Sequence, residues 1–111
     1  MLINPPAPCY AVIFSSIRAD TDDDYQATAE RMLELAAQQD GFLGVESVRD
    51  SRQGITISYW RDQAAITAWR EHAEHRLARE AGREKWYRAF QVRICKVERS
   101  YGFPVEETTE S

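Results

Sequence analysis

With 111 residues, 43% of them apolar and 29% charged, the chain has the makeup of one globular domain with a modest core. A net charge of −4 and a pI near 5.2 argue against the concentrated basic surface that nucleic acid needs. No apolar run approaches the roughly 20 residues of a membrane span, and MLINPPAPCY lacks the basic flank and long apolar stretch of a secretory signal, so a cytoplasmic protein is expected.

Residues 1–8 read as an extended arm, because Pro5, Pro6 and Pro8 forbid a regular helix. CYAVIFSS, residues 9–16, is apolar at both parities and predicts a strand covered on both sides. Asp20 to Asp24 suits a helix N-terminus. A helix is then expected over 25–39, with Tyr25, Thr28, Ala29, Met32, Leu35 and Ala36 forming one apolar stripe. Asp40-Gly41 ends it, glycine being free to turn left-handed. A second strand is predicted over 42–50, a polar turn over 51–54 and a third strand over 55–60. In that third strand Ile55, Ile57 and Tyr59 face one way and Thr56, Ser58 and Trp60 the other. Asp62 caps a second helix whose stripe is Ile66, Trp69, Ala73 and Leu77. Gly82 interrupts this helix, with room for another turn around 83–86. The last strand is expected over 90–101, and residues 102–111 form an acidic tail.

The order β-α-β-β-α-β predicts an α+β, ferredoxin-like domain over 9–101: a four-stranded antiparallel sheet with both helices on one face. The other face then needs a cover. Sheet-on-sheet pairing with a second copy supplies it, so a homodimer is expected, with Trp60 either in its core or in a pocket. Cys9 and Cys95 are too few and too distant for a zinc motif and are expected as buried free thiols. Glu46 is expected to pair with Arg93 or Arg99.

Residues 55–87 concentrate the available chemistry, holding all three tryptophans and both histidines. His72 and His75 are spaced i,i+3, which does not favour a two-histidine metal pair, and no metal is expected. The basic residues Arg76, Arg79, Arg83, Lys85 and Arg88 are interleaved with Glu71, Glu74, Glu80 and Glu84, as on a solvated helix face. Phosphate loops, GxSxG, CxxC and HExxH are absent from the sequence.

YAVIFSS, ERMLELAAQQDGFLGVES, GITISYWRDQAAITAWREH and GREKWYRAFQVRICKVERSY together resemble the antibiotic biosynthesis monooxygenase (ABM) domain over residues 10–101. The resemblance implies a dimeric α/β barrel. Its members include cofactor-free oxygenases of polycyclic aromatics and haem-degrading monooxygenases. The haem branch is matched in Trp60 and Trp69 but not elsewhere. The first strand offers Ser15 and Ser16 where that branch has asparagine, and Arg79 stands ten residues after Trp69 where it has its axial histidine. His75 lies four residues earlier, a shift of about 6 Å along a helix, so haem is not expected. The cofactor-free branch implies a dry aromatic pocket, a base and groups that hold an anion. The parts available are Trp69 and Tyr59 as walls, Trp86 or Tyr87 at the rim, His75 or His72 as base, and Arg79 or Arg83 beside an oxyanion. The expected substrate is a small aromatic phenol or enol oxidised without a cofactor. A non-enzymatic small-molecule binder of the same fold is the alternative.

Overall fold

The computed structural model describes residues 2–18, 25–79 and 87–103, without the side chains of Tyr25, Gln26, Thr28, residues 74–79 and Tyr87. The elements are β1 (Cys9–Arg18), α1 (Tyr25–Ala37), β2 (Phe42–Arg49), β3 (Gln53–Trp60), α2 (Gln63–Arg79) and β4 (Tyr87–Val97). The strands form one antiparallel sheet in the order β2-β3-β1-β4. This is the expected ferredoxin-like arrangement, with the apolar β1 in an inner position.

Local chemistry sets the element boundaries. Asp62 is the N-cap of α2, its Oδ1 accepting the Ala65 N–H at 2.9 Å. Gly41 takes φ 91° after α1, the left-handed turn expected of it. The β2–β3 turn is closed by Asp50, whose Oδ1 accepts the N–H groups of Arg52 and Gln53 at 2.8 and 2.7 Å. That side-chain turn is tighter than the glycine-ended turn expected over 51–54, and it leaves Gly54 inside β3, opposite Arg49. β4 starts at Tyr87 and stops at Val97, four residues short of the expected end. The stretch containing Gly82 and residues 83–86 lies outside the described residues.

Alternation and register divide the sheet into two faces. Tyr10, Val12, Phe14 and Ser16 of β1 stand in rows with Trp60, Ser58, Thr56 and Gly54 of β3, and with Lys96, Ile94, Val92 and Phe90 of β4. Phe42, Val45, Ser47 and Arg49 of β2 extend the same rows. Ala36 of α1 and Ala65 and Ile66 of α2 pack with Trp60 in one buried cluster, joined by Tyr10, Val12, Phe42 and Trp69, so this is the helix face. Trp60, fully buried, therefore anchors the helix–sheet core and not a dimer core. On the open face, Val48 and Ile55 remain 70% and 43% exposed. Residues 2–8 reach this face at Gly44, where a Cβ would stand 3.0 Å from Ile3 Cδ1. Cys9 and Cys95 sit on the open face of adjacent strands, two residues out of register. Both are free. Cys9 is buried as expected, but Cys95 is exposed because β4 is an edge strand.

Candidate active site

A ladder of aromatic rings runs from the core to the surface on the helix face. The Phe42 ring meets Trp60 edge-on, with centroids 5.3 Å apart. Trp60 stacks on Trp69 at 6.2 Å and an interplanar angle of 22°. Trp69 in turn meets His72 at 5.5 Å, tilted by 34°. The spacing that makes the ladder is helical: Trp69 and His72 are i,i+3 neighbours on α2, and Trp69 is half-buried while His72 is exposed. Offset stacking holds such rings in fixed relative orientation. The Trp60 indole N–H donates to Ser58 Oγ at 2.9 Å, so the buried tryptophan is satisfied on its own strand.

Beside the ladder the helix face is two-sided in chemistry. β3 presents only small groups below Trp60, namely Ser58, Thr56 and Gly54, and Thr56 shares a 2.9 Å hydroxyl–hydroxyl bond with Ser47 of β2. β1 and β4 present hydrocarbon instead. Phe14 stacks on Phe90 at 5.4 Å, and Phe90, Val92 and Ile94 remain 41%, 43% and 48% exposed. At the end of the sheet away from Trp60, Arg49 Nη2 donates to Ser16 Oγ at 2.8 Å. A cleft of about 610 Å³ opens at this end and reaches residues of both faces, including Ser16, Arg49, Ile55 and Phe90. Its volume lies in the range of small-molecule sites.

Tyr59 stands on the other side of the sheet. Its hydroxyl donates to Glu46 Oε2 at 2.7 Å. Glu46 thus engages Tyr59 rather than the arginine expected from sequence. Burial, and then the Glu46 carboxylate, push the Tyr59 phenol up to about 12. Burial also raises the Cys9 thiol on this face.

Of the sequence-derived site residues, Trp69 and His72 come together, whereas Tyr59 and Trp69 do not share a wall within one subunit. The side chains of His75, Arg79 and Tyr87, and residues Arg83 and Trp86, lie outside the described residues. Arg49, Gly54 and Ser58 were not among the sequence-derived site residues, and Ser16 entered only at the place where the haem branch has asparagine. The small-residue run beneath Trp60 is visible in GITISYW, but the Arg49–Ser16 contact depends on strand order. Among the described residues no group of three metal-ligating side chains is placed to hold an ion. No described helix is long and apolar enough to cross a membrane.

The sequence profile of the antibiotic biosynthesis monooxygenase family matches residues 8–81. The chain belongs to this family. The ABM chain is 55% identical over 96 residues to the uncharacterized protein YqjZ of Bacillus subtilis, covering 86% of this chain and 84% of the relative. It is 32% identical over 94 residues to the jasmonate monooxygenase ABM of Pyricularia oryzae, covering 79% of this chain but only 43% of that longer protein. SnoaB of Streptomyces nogalater, a cofactor-independent oxygenase, superimposes with a TM-score of 0.67 at 14% identity, over 85% of this chain and 97% of its own. PA3566 of Pseudomonas aeruginosa superimposes with a TM-score of 0.64 at 19% identity, over 86% and 97%. At these identities the two structures establish the shared fold.

Proposed function

We propose that this ABM protein is a cofactor-independent monooxygenase of a small phenolic or enolic substrate, held on the helix face beside Trp69. The observation that carries the reading is the Trp60–Trp69–His72 ladder, an aromatic surface fixed at its inner end and reaching an imidazole at its outer end. Membership of the family and the fold shared with a cofactor-independent oxygenase support it. The jasmonate relative supports oxygenation of a small molecule on this framework.

In this mechanism a base removes the acidic proton of the substrate. His75 is assigned that role, with His72 as the other imidazole within a helical turn. The resulting anion supplies the electrons. Oxygen adds to a ring carbon as a peroxide, the O–O bond breaks, and water leaves, so that a phenol and O2 give a quinone and H2O. Arg79 and Arg83 are assigned to the oxyanion, and Trp86 and Tyr87 to the surround of the substrate. Tyr59, on the opposite face of the sheet, is not part of this surround.

The same reading makes the protein a homodimer. The helix-free face leaves Val48 and Ile55 exposed, and a second sheet packed on it removes that apolar surface from water. Two free thiols fit a reducing compartment such as the cytoplasm.

Oxygen uptake with naphthols and quinols tests the activity. Wild-type turnover, lost in Trp69→Ala and His75→Ala with the dimer intact, is the expected result. Wild-type-like turnover in both variants refutes the mechanism. Ligand-dependent melting shifts without oxygen uptake would identify a binding protein instead. A Soret band on haem titration, with product on reduction, would return the chain to the haem branch.

A further inference from the structure

The open face of the sheet carries one row of opposite charges. Glu46 of β2, Ile57 of β3, Ile13 of β1 and Arg93 of β4 stand side by side across all four strands. Two isoleucines thus separate an acid on one edge strand from a base on the other. Among the described strand residues of this face, Glu46 and Arg93 alone are charged, and the next row holds Val48, Ile55, Ser15 and Gln91. The Tyr59 hydroxyl donates to Glu46 Oε2 and brings no charge, so it holds the carboxylate in place without neutralising it and leaves Oε1 to accept. Arg93 is exposed, and among the described residues it forms no hydrogen bond or ion pair.

Within one chain the two charges are three strand spacings apart, about 14 Å. A second sheet packed on this face lies about 10 Å away, a gap that glutamate and arginine bridge from opposite sides. The two-fold axis of such a pair runs either along the strands or across them. An axis along the strands, midway between β1 and β3, lays β2 on the partner's β4. The row Glu-Ile-Ile-Arg then faces Arg-Ile-Ile-Glu, which closes two ion pairs over four isoleucines. An axis across the strands at this row lays each edge strand on its own copy and sets like charges together, which opposes association. Displaced from this row, it leaves each charge over uncharged residues. The charges therefore favour the first arrangement, which also covers Val48 and Ile55.

We infer that the open face is a self-complementary interface for a second copy of this chain, related by a two-fold axis along the strands, with Glu46 of each copy paired to the partner's Arg93. This rests on the homodimer proposed above and adds its orientation. Sedimentation velocity over a dilution series tests it. Arg93→Glu and Glu46→Lys each raise the dimer dissociation constant about tenfold or more, because two attractive pairs become repulsive. Glu46→Gln, which keeps an acceptor for the Tyr59 phenol, raises it by a smaller factor. The doubly reversed chain, Glu46→Lys with Arg93→Glu, returns to within about threefold of the wild type, a recovery that general damage to the fold does not give. Contact of like with like has the opposite sign, and Glu46→Gln then tightens the dimer. A wild-type dimer whose dissociation constant is unmoved or lowered by the single substitutions, or a double variant no better than the single ones, overturns the pairing while the dimer stands. A wild-type protein that stays monomeric at every concentration overturns the homodimer itself.

Discussion

Trp60→Ala separates the two places a strand-end tryptophan can occupy. In the helix–sheet core, Trp60 is fully buried, edge-on to Phe42, stacked on Trp69 and in contact with Ala36, Ala65 and Ile66. Deleting a large buried aromatic costs about 3–5 kcal/mol, because the lost transfer energy is joined by a cavity. Folding stability for a domain of this size is about 5–15 kcal/mol, so the loss is a large fraction of it. With a urea dependence of about 2 kcal/mol per molar, the midpoint falls by about 2 M. Trp69, half-buried, has less contact to lose, and its alanine variant falls by less than half as much. Urea unfolding followed by circular dichroism at fixed protomer concentration reads both, with light scattering to report the mass. A Trp60→Ala protein that keeps its midpoint but dissociates to monomers would refute the placement, since that is the signature of an interface residue.

Tyr59 gives a spectroscopic test of the open face. With its phenol raised to about 12 by burial and by Glu46, absorbance at high pH shows one late-titrating tyrosine that disappears in Tyr59→Phe and moves down in Glu46→Gln. The sign follows from linkage. A folded value above the unfolded value near 10 gives stability that is whole below pH 10 and is lost as pH rises towards 12, and a flat stability in that window contradicts the burial. The two cysteines report on association. Cys9 stays unreactive to iodoacetamide until unfolding, while Cys95 reacts in dilute protein, and the proposed pairing through the open face predicts its protection as protein concentration rises. Equal fast labelling of both thiols refutes the packing at Cys9. At the start of α2, Asp62→Ala lowers the melting temperature and Asp62→Asn retains most of it, because asparagine keeps the oxygen that accepts the Ala65 N–H. Hydrogen bonding to that N–H, and then Arg61, hold the Asp62 carboxyl below its usual range, so the cap's contribution weakens as pH falls through that lowered value. A stability difference between wild type and Asp62→Ala that does not shrink as pH falls refutes this account.

The strand and helix periods were legible because each reports a local fact. GITISYW separates Tyr59 from Trp60 by alternation alone, and the structure keeps that separation. Which parity faces the helices is not local. It depends on the side of the sheet that α1 and α2 cross, and β1, apolar at both parities, gives no preference. For that reason alternation leaves Trp60 open between a dimer core and a pocket, and the structure packs it under the helices with Ala36, Ala65 and Ile66. The pairing of Tyr59 with Trp69 as two walls of a pocket failed within one subunit for the same reason: each is well placed on its own element, and the sheet stands between them.

Arg49 shows the converse case, a site component whose meaning is entirely relational. Alone it is a basic residue at the end of a polar strand, and Gly54 alone reads as the end of a turn. The Asp50 turn fixes the hairpin so that Arg49 faces Gly54, and the placement of β1 beside β3 then sets Ser16 in the same row. Each step removes an alternative path for the guanidinium. A longer turn would shift the register by a residue and send Arg49 to the open face. A side chain at 54 would block the crossing. The charge is thus fixed by a turn, an absence of side chain and a buried hydroxyl, on three separate strands. Such a construction is set by relations between three strands, and no single stretch of the sequence displays it.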